Sequence, residues 1–342
     1  MKSQTILVPR DQTLEKIIEF VNILSSTPQA EKYVFDFQNP GWVTPFGMLF
    51  IGCMINSFIE THPGVEIEAK NHENGYAWHM GFFKACGFDI GRTQEAVGNL
   101  QYLPITILPV SELHREAKEE VLEIGQVVEK RSKKLAQVLT QQEYGDLVDM
   151  FTYTMREMIR NVIEHSQSDT VAFCAQYMPS TKRPEIAILD TGIGIRASLS
   201  NNPHLKLKDD HDALNLALMP GISGKMYKGK KRDPYDPWQN SGYGLYAVSR
   251  LCGFGGKFLI CSGDTGLSLK PEGKEYHLLK FQGTALRLNL CSKDIKHLQT
   301  VLSKIMKDGD LMAKKFQGDE NIQASSASRM LSGEFENQSN KK

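Results

Sequence analysis

The chain has no C-x-x-C pair. Its six cysteines, Cys53, Cys86, Cys174, Cys252, Cys261 and Cys291, are scattered, which argues against a zinc ribbon, a thioredoxin-like redox site and a secreted disulfide framework and fits a reducing cytoplasm. No apolar run approaches the roughly eighteen residues of a membrane span. The longest candidate, Phe46 to Phe58, is broken by Asn56 and Ser57 and reads as a buried helix. Residues Met1 to Arg10 hold no apolar stretch before a small-residue cleavage site. Net charge is absent as well: 40 Lys plus Arg balance 40 Asp plus Glu, so no global field holds the protein on nucleic acid or an anionic membrane. No internal repeat is visible.

What is present is length and apolar content: 342 residues, 41% of them apolar, enough for two ordinary domains with a core each. Residues 1–108 alternate short apolar runs with helical stretches. Tyr33 to Phe37 and Val65 to Ala69 read as strands, Pro45 to Thr61 as a helix, and Tyr76 to Cys86 as a short helix capped by Gly87. Residues 109–143 are rich in Glu, Lys and Gln with a helical apolar stripe interrupted at Arg131, the pattern of a connector helix or a dimerisation seam. Asp146 to Ser166 is a further amphipathic helix. Strands follow at Thr170 to Gln176, Glu185 to Asp190, Lys257 to Ser262, Tyr276 to Phe281 and Thr284 to Leu290. A helix covers 294–317, and residues 318–342, nearly devoid of large apolar side chains, are expected to be disordered.

Four separated segments carry candidate chemistry. In Glu157-x-x-x-Asn161-x-x-x-His165, four-residue spacing stacks three polar side chains on one helix face. An Asn oxygen suits Mg²⁺, and a Glu one turn away can take a proton from a nucleophile; taken alone, the stripe reads as a solvated helix face, the usual meaning of polar residues at this spacing. Ile186 to Ile195 ends a buried strand in Asp190 and then alternates glycines at Gly192 and Gly194. A carboxylate there can accept a hydrogen bond from an exocyclic amine such as that of adenine, although an Asp-containing turn is the ordinary alternative. Asn240 to Val248 places Gly242 and Gly244 directly before a helix, where free N–H groups and the helix dipole favour phosphate. Gly283-Thr284 opens the last strand. Gly221 to Lys225 lacks the spacing and the Ser or Thr of a P-loop, and Gly253 to Gly256 does not follow a strand as a dinucleotide fingerprint does.

In this order the four segments resemble the ATP-binding domain shared by DNA gyrase, the ninety-kilodalton heat-shock chaperone, sensor histidine kinases and mismatch-repair ATPases, the GHKL family, over residues 144–293. The resemblance implies an α/β sandwich, a mixed sheet with helices on one face, and ATP with Mg²⁺ beneath a lid at about Arg196 to Ser241. It makes Asn161 the metal ligand, Glu157 the general base, Asp190 the adenine reader, Gly192 and Gly194 close-approach glycines, Gly242 and Gly244 the phosphate-facing loop, and Thr284 a neighbour of adenine. Ile195 and Leu245, which end the two glycine boxes, join the nucleotide-binding set. Lys225 is the candidate lid cation for the γ-phosphate, drawn from the basic run with Lys228, Lys230, Lys231 and Arg232. His114, followed by Arg115 rather than an acidic residue, reads as a solvated helix position and not a phospho-acceptor.

Residues 5–105 resemble the STAS domain of anti-sigma-factor antagonists, through Tyr33 to Gln38, Trp42 to Phe50 and Tyr76 to Phe88. The chain departs from that pattern at Phe46, which stands where those antagonists carry a phosphorylatable Ser; Thr44 is the nearby hydroxyl. Expected functions are an ATPase switch acting on an unidentified protein partner or on the N-terminal domain, an anti-sigma-type serine/threonine kinase, or a non-catalytic nucleotide-responsive module. A homodimer is compatible with each.

Overall fold

The structure is a computed structural model that describes residues 2–90, 102–178, 183–230, 241–290 and 298–317. The expected disordered tail and the lid residues Lys231, Arg232 and Asn240 lie outside the described residues.

The N-terminal part runs β1 (Ser3–Leu7), α1 (Leu14–Ser26), β2 (Lys32–Asp36), α2 (Pro45–Glu60) and β3 (Glu66–Lys70), then the short helices α3 (Gly75–His79) and α4 (Phe82–Ala85). Its three strands form one parallel sheet in sequence order. α2 starts where its sequence says it should: Pro45 opens the helix and the Thr44 hydroxyl accepts the Gly47 N–H at 3.0 Å. α3 and α4 divide the helix expected over Tyr76 to Cys86, because Gly81 between them is left-handed. Gly87, with φ +88°, follows the end of α4 as expected.

The second part contains β4 (Tyr102–Pro109), α5 (Val110–Glu120), α6 (Ile124–Thr140), α7 (Asp146–Asn161), β5 (Thr170–Met178), β6 (Arg183–Asp190), α8 (Gly194–Leu199), α9 (Asp210–Ala217), α10 (Gly244–Cys252), β7 (Lys257–Lys270), β8 (Gly273–Asn289) and α11 (Leu298–Gln317). Its five strands are ordered β4-β5-β6-β8-β7 and every pairing is antiparallel. The expectation of a mixed sheet is therefore corrected: the parallel pairs belong to the other sheet. The strands expected at Lys257 to Ser262, Tyr276 to Phe281 and Thr284 to Leu290 are parts of one long hairpin, β7–β8. β4, at the end of the first 108 residues, is an edge strand of the second sheet.

The connector is two helices rather than one. Val121, left-handed at φ 56°, ends α5, and α6 returns against it. The interruption of the apolar stripe at Arg131 has a direct cause: its guanidinium reaches Glu112 at 2.7 Å and Glu116 at 2.5 Å on α5.

Both faces of the five-stranded sheet are covered. Ile186, Ile188, Leu286 and Leu288 join the core beneath α7 and α10, while their alternates Ala187, Leu189, Ala285 and Phe281 join the N-terminal core. This departs from the expectation of helices on one face only, since α2 and α1 of the first part supply the second cover. A continuous apolar strand such as Ile186 to Leu189 is what two-sided burial demands.

Candidate functional site

Strand alternation decides which β6 and β8 residues can meet α7. Asp190 lies on the same side as Ile186 and Ile188, and it pairs across the ladder with Thr284. These residues form the floor of a cleft whose opposite wall is α7 and whose end is the turn into α10. Glu157, Asn161, Asp190, Gly194, Ile195, Gly242, Gly244, Leu245 and Thr284 all border this one cavity, which holds about 900 Å³ of empty space counted out to its open mouth. Residues more than a hundred positions apart thus converge. Of the residues singled out from sequence, Gly192 and Lys225 are not on the lining.

Gly192 acts from behind. A Cβ there would lie 2.0 Å from the Ser166 carbonyl oxygen, and the next residue, Ile193, donates its N–H to that oxygen at 2.7 Å. The partner segment, Val162–Ser166, is a π-helical turn that continues α7. Such turns widen a helix by one residue, and here the widening brings Ser166 onto the glycine turn while Asn161 and His165 still border the cleft.

The polar stripe on α7 is not a solvated face. Glu157 is only 4% exposed and Arg156 1%. Glu157 Oε1 is 3.0 Å from Arg156 and 3.7 Å from Arg160, so both guanidiniums hold the same oxygen. Oε2 instead faces the turn into α10, where a Cβ on Gly244 would approach it to 2.6 Å. One oxygen is anchored and the other is presented to the glycines. Asn161 carries a buried Nδ2 with no hydrogen-bond partner, a state that costs about 1–3 kcal/mol and that a ligand acceptor or an ordered water would relieve.

Asp190 is 5% exposed. Burial pushes its carboxyl up to about 6, although the Gly192 N–H, donating to Oδ1 at 2.9 Å, and Thr284 both favour the charged form. His165 moves the other way, down to about 4, because burial and the neighbouring Lys225 and Arg160 disfavour the imidazolium. A neutral imidazole and an ionised carboxylate therefore share the cleft near pH 7. Lys225 is exposed, close enough to act on His165 electrostatically but outside the lining.

At the far end, Gly242 has φ +71°, and a Cβ there would fall 2.5 Å from the Ile222 carbonyl. Only glycine fits both the conformation and the approach. α10 then begins at Tyr243 without a side-chain cap, and its first residues, Gly244 and Leu245, border the cleft. Ile222, Ser223 and Gly224, in the segment set aside from sequence because it is no P-loop, complete this wall. The signal was the glycine-flanked Gly221 to Gly224, which resembles no phosphate motif by spacing. Sequence reasoning did pass over Arg160 and Glu164, which are paired at 2.9 Å and line the same cleft.

Among the described residues no helix is long and apolar enough to cross a membrane. No protein-family model, curated protein or solved structure matches the chain.

Proposed function

We propose that this cleft binds ATP together with Mg²⁺ and hydrolyses it slowly, the bound nucleotide acting as a switch on the N-terminal part of the same chain. The observation that carries the proposal is the convergence, in one cavity, of an orphaned helix amide, a buried strand-end carboxylate and two glycine turns from four distant segments. It supports the resemblance to GHKL ATPases over residues 144–293, and the STAS-like character of residues 5–105 belongs to the same proposal.

The buried Asp190 carboxylate accepts the exocyclic amine of adenine, with Thr284 beside it; guanine presents an acceptor at that position and is repelled. Gly242, Gly244 and the open start of α10 receive the phosphates. Asn161 suits Mg²⁺, which takes few protein ligands and draws the rest from phosphate and water. The metal supplies charge neutralisation to the phosphates. Glu157, fixed through Oε1 by Arg156 and Arg160, offers Oε2 to orient and deprotonate a water. The neutral His165 lines the same wall without adding charge.

Coupling to the N-terminal part has a structural route. Asp190 borders the cleft and also a second cavity bounded by Leu49 and Cys53 of α2, so a nucleotide that bears on Asp190 bears on the strand beneath α2.

The test is a nucleotide titration of the full chain, ATP against GTP, with and without Mg²⁺, followed by phosphate release. ATP is expected to bind in preference to GTP, the preference to vanish in Asp190→Asn, and Mg²⁺ dependence to vanish in Asn161→Ala. Glu157→Gln is expected to keep binding and lose turnover by about 10²- to 10⁴-fold. Undiminished hydrolysis in Glu157→Gln refutes its role as base, and transfer of label to a protein hydroxyl in place of phosphate release marks a kinase.

A further inference from the structure

A separate cleft lies where the starts of α1 and α2 meet the β7–β8 hairpin, and its chemistry is that of an anion site. Lys257, Lys270 and Arg287 border it against a single acid, Glu15. Lys270 is paired with Glu275 at 2.5 Å and Arg287 with Glu185 at 2.8 Å, whereas Lys257 has no ion-pair partner among the described residues. With Glu15 counted, three acids match the three cations in number, and Lys257 is the cation left without a direct ion pair among the described residues.

Two donors on its wall lack acceptors. Gln12 is 1% exposed, and its Oε1 accepts the Thr44 N–H at 3.1 Å, which leaves Nε2 as a buried donor without a partner. Arg287 commits Nη2 to Glu185 while its Nε–H has no partner. Leaving such groups unpaired costs about 1–3 kcal/mol each, so an occupant that brings acceptor oxygens is favoured over an apolar one. α1 and α2 start here, with the caps Thr13 and Thr44 both on the lining; Glu15 in the first turn of α1 and Glu185 on the Phe46 N–H of α2 already answer part of the two dipoles. Trp42, 59% exposed, stands at the rim.

We propose that this cleft is a second binding site, for a small ligand bearing a phosphate or carboxylate group, held by Lys257 and Lys270 at the mouth and by Gln12 Nε2 and Arg287 Nε within. The site is independent of the nucleotide reading, because none of its residues borders the first cleft. Its position between the N-terminal part and the five-stranded sheet means that the ligand touches both.

Trp42 provides a local readout. The full chain is labelled with 5-fluorotryptophan, the Trp42 resonance is assigned with Trp42→Phe, and inorganic phosphate and citrate are titrated separately against sodium chloride of matched ionic strength. A saturable shift with phosphate identifies a phosphate site and one with citrate alone a carboxylate site; either supports the proposal. The Lys257→Gln/Lys270→Gln double variant, and the exposed Lys257→Gln alone, are expected to bind about tenfold or more weakly, the scale of one charge-assisted hydrogen bond. No saturable shift beyond that of sodium chloride, or equal affinity in the variants and the parent, overturns it.

Discussion

At the scale of single residues, Asp190 and His165 are displaced in opposite directions by the same cause, burial of charge. The sign of each contribution follows from linkage. Asp190 titrates near 6 when folded and near 3.8 when unfolded, so the folded state holds the extra proton and stability falls as pH rises across that window. His165 titrates near 4 when folded and near 6.5 when unfolded, so stability falls as pH drops across nearly the same window. In the parent the two slopes oppose each other. Asp190→Asn removes one of them, and thermal melts of the nucleotide-free variant are expected to show higher stability at pH 7, by on the order of 1–3 kcal/mol, with a steeper decline between pH 6.5 and 4. A variant less stable than the parent at pH 7 would show that the carboxylate's hydrogen bonds outweigh its burial. A site residue that destabilises its own apo fold is the usual signature of function placed above stability.

At the scale of elements, two junctions of similar appearance differ in weight. The glycine turn after β6 sits on the π turn after α7 through backbone contact, with Gly192 against the Ser166 carbonyl. No side-chain rotation relieves a Cβ at 2.0 Å from backbone, so Gly192→Ala is expected to cost more than about 2 kcal/mol and to weaken nucleotide binding, as read by urea melts and titration. The α5–α6 junction is instead held by Arg131, whose side chain is 31% exposed and whose partners Glu112 and Glu116 are 35% and 17% exposed. Water screens such a pair, and Arg131→Ala is expected to cost no more than about 1 kcal/mol. A larger loss by the same melts would mean that the hairpin matters more to the fold than its exposure implies.

At the scale of the whole molecule, the N-terminal part and the five-stranded sheet share one core, which includes Phe281, Leu189 and Cys261 from the sheet and Phe46, Phe50 and Ile55 from α2. A polar latch sits at the edge of this contact. Glu185 of β6 accepts the Phe46 N–H at 3.1 Å, Arg287 at 2.8 Å and Asn289 at 3.1 Å. It thereby caps α2 from another part of the chain. Glu185→Ala leaves Arg287 without its counter-ion and is expected to lower stability by about 3 kcal/mol in a single cooperative transition. Two separated transitions in calorimetry would show instead that the parts fold independently and that the latch only positions them.

The segments that border the candidate site were legible in the linear pattern. Residue type and spacing marked Glu157, Asn161, Asp190, Gly242 and Gly244 as candidates, the resemblance to GHKL ATPases added Thr284, and apolar periodicity located the helix and strands that carry them, because these signals are local. Three matters depended on tertiary structure. Whether the stripe on α7 faced water or a cleft turned on the burial of Arg156 and Glu157, which no helical period encodes. The placement of Ile222 to Gly224 on the wall and of Lys225 off it arose from how an irregular segment folds back on Gly242, and chains without periodicity leave no such trace. The covering of the second sheet face by α2 rested on contacts between residues such as Phe50 and Phe281, far apart along the chain, where pattern says only that each is apolar. Sequence determines which face of an element seeks cover; long-range packing decides what covers it.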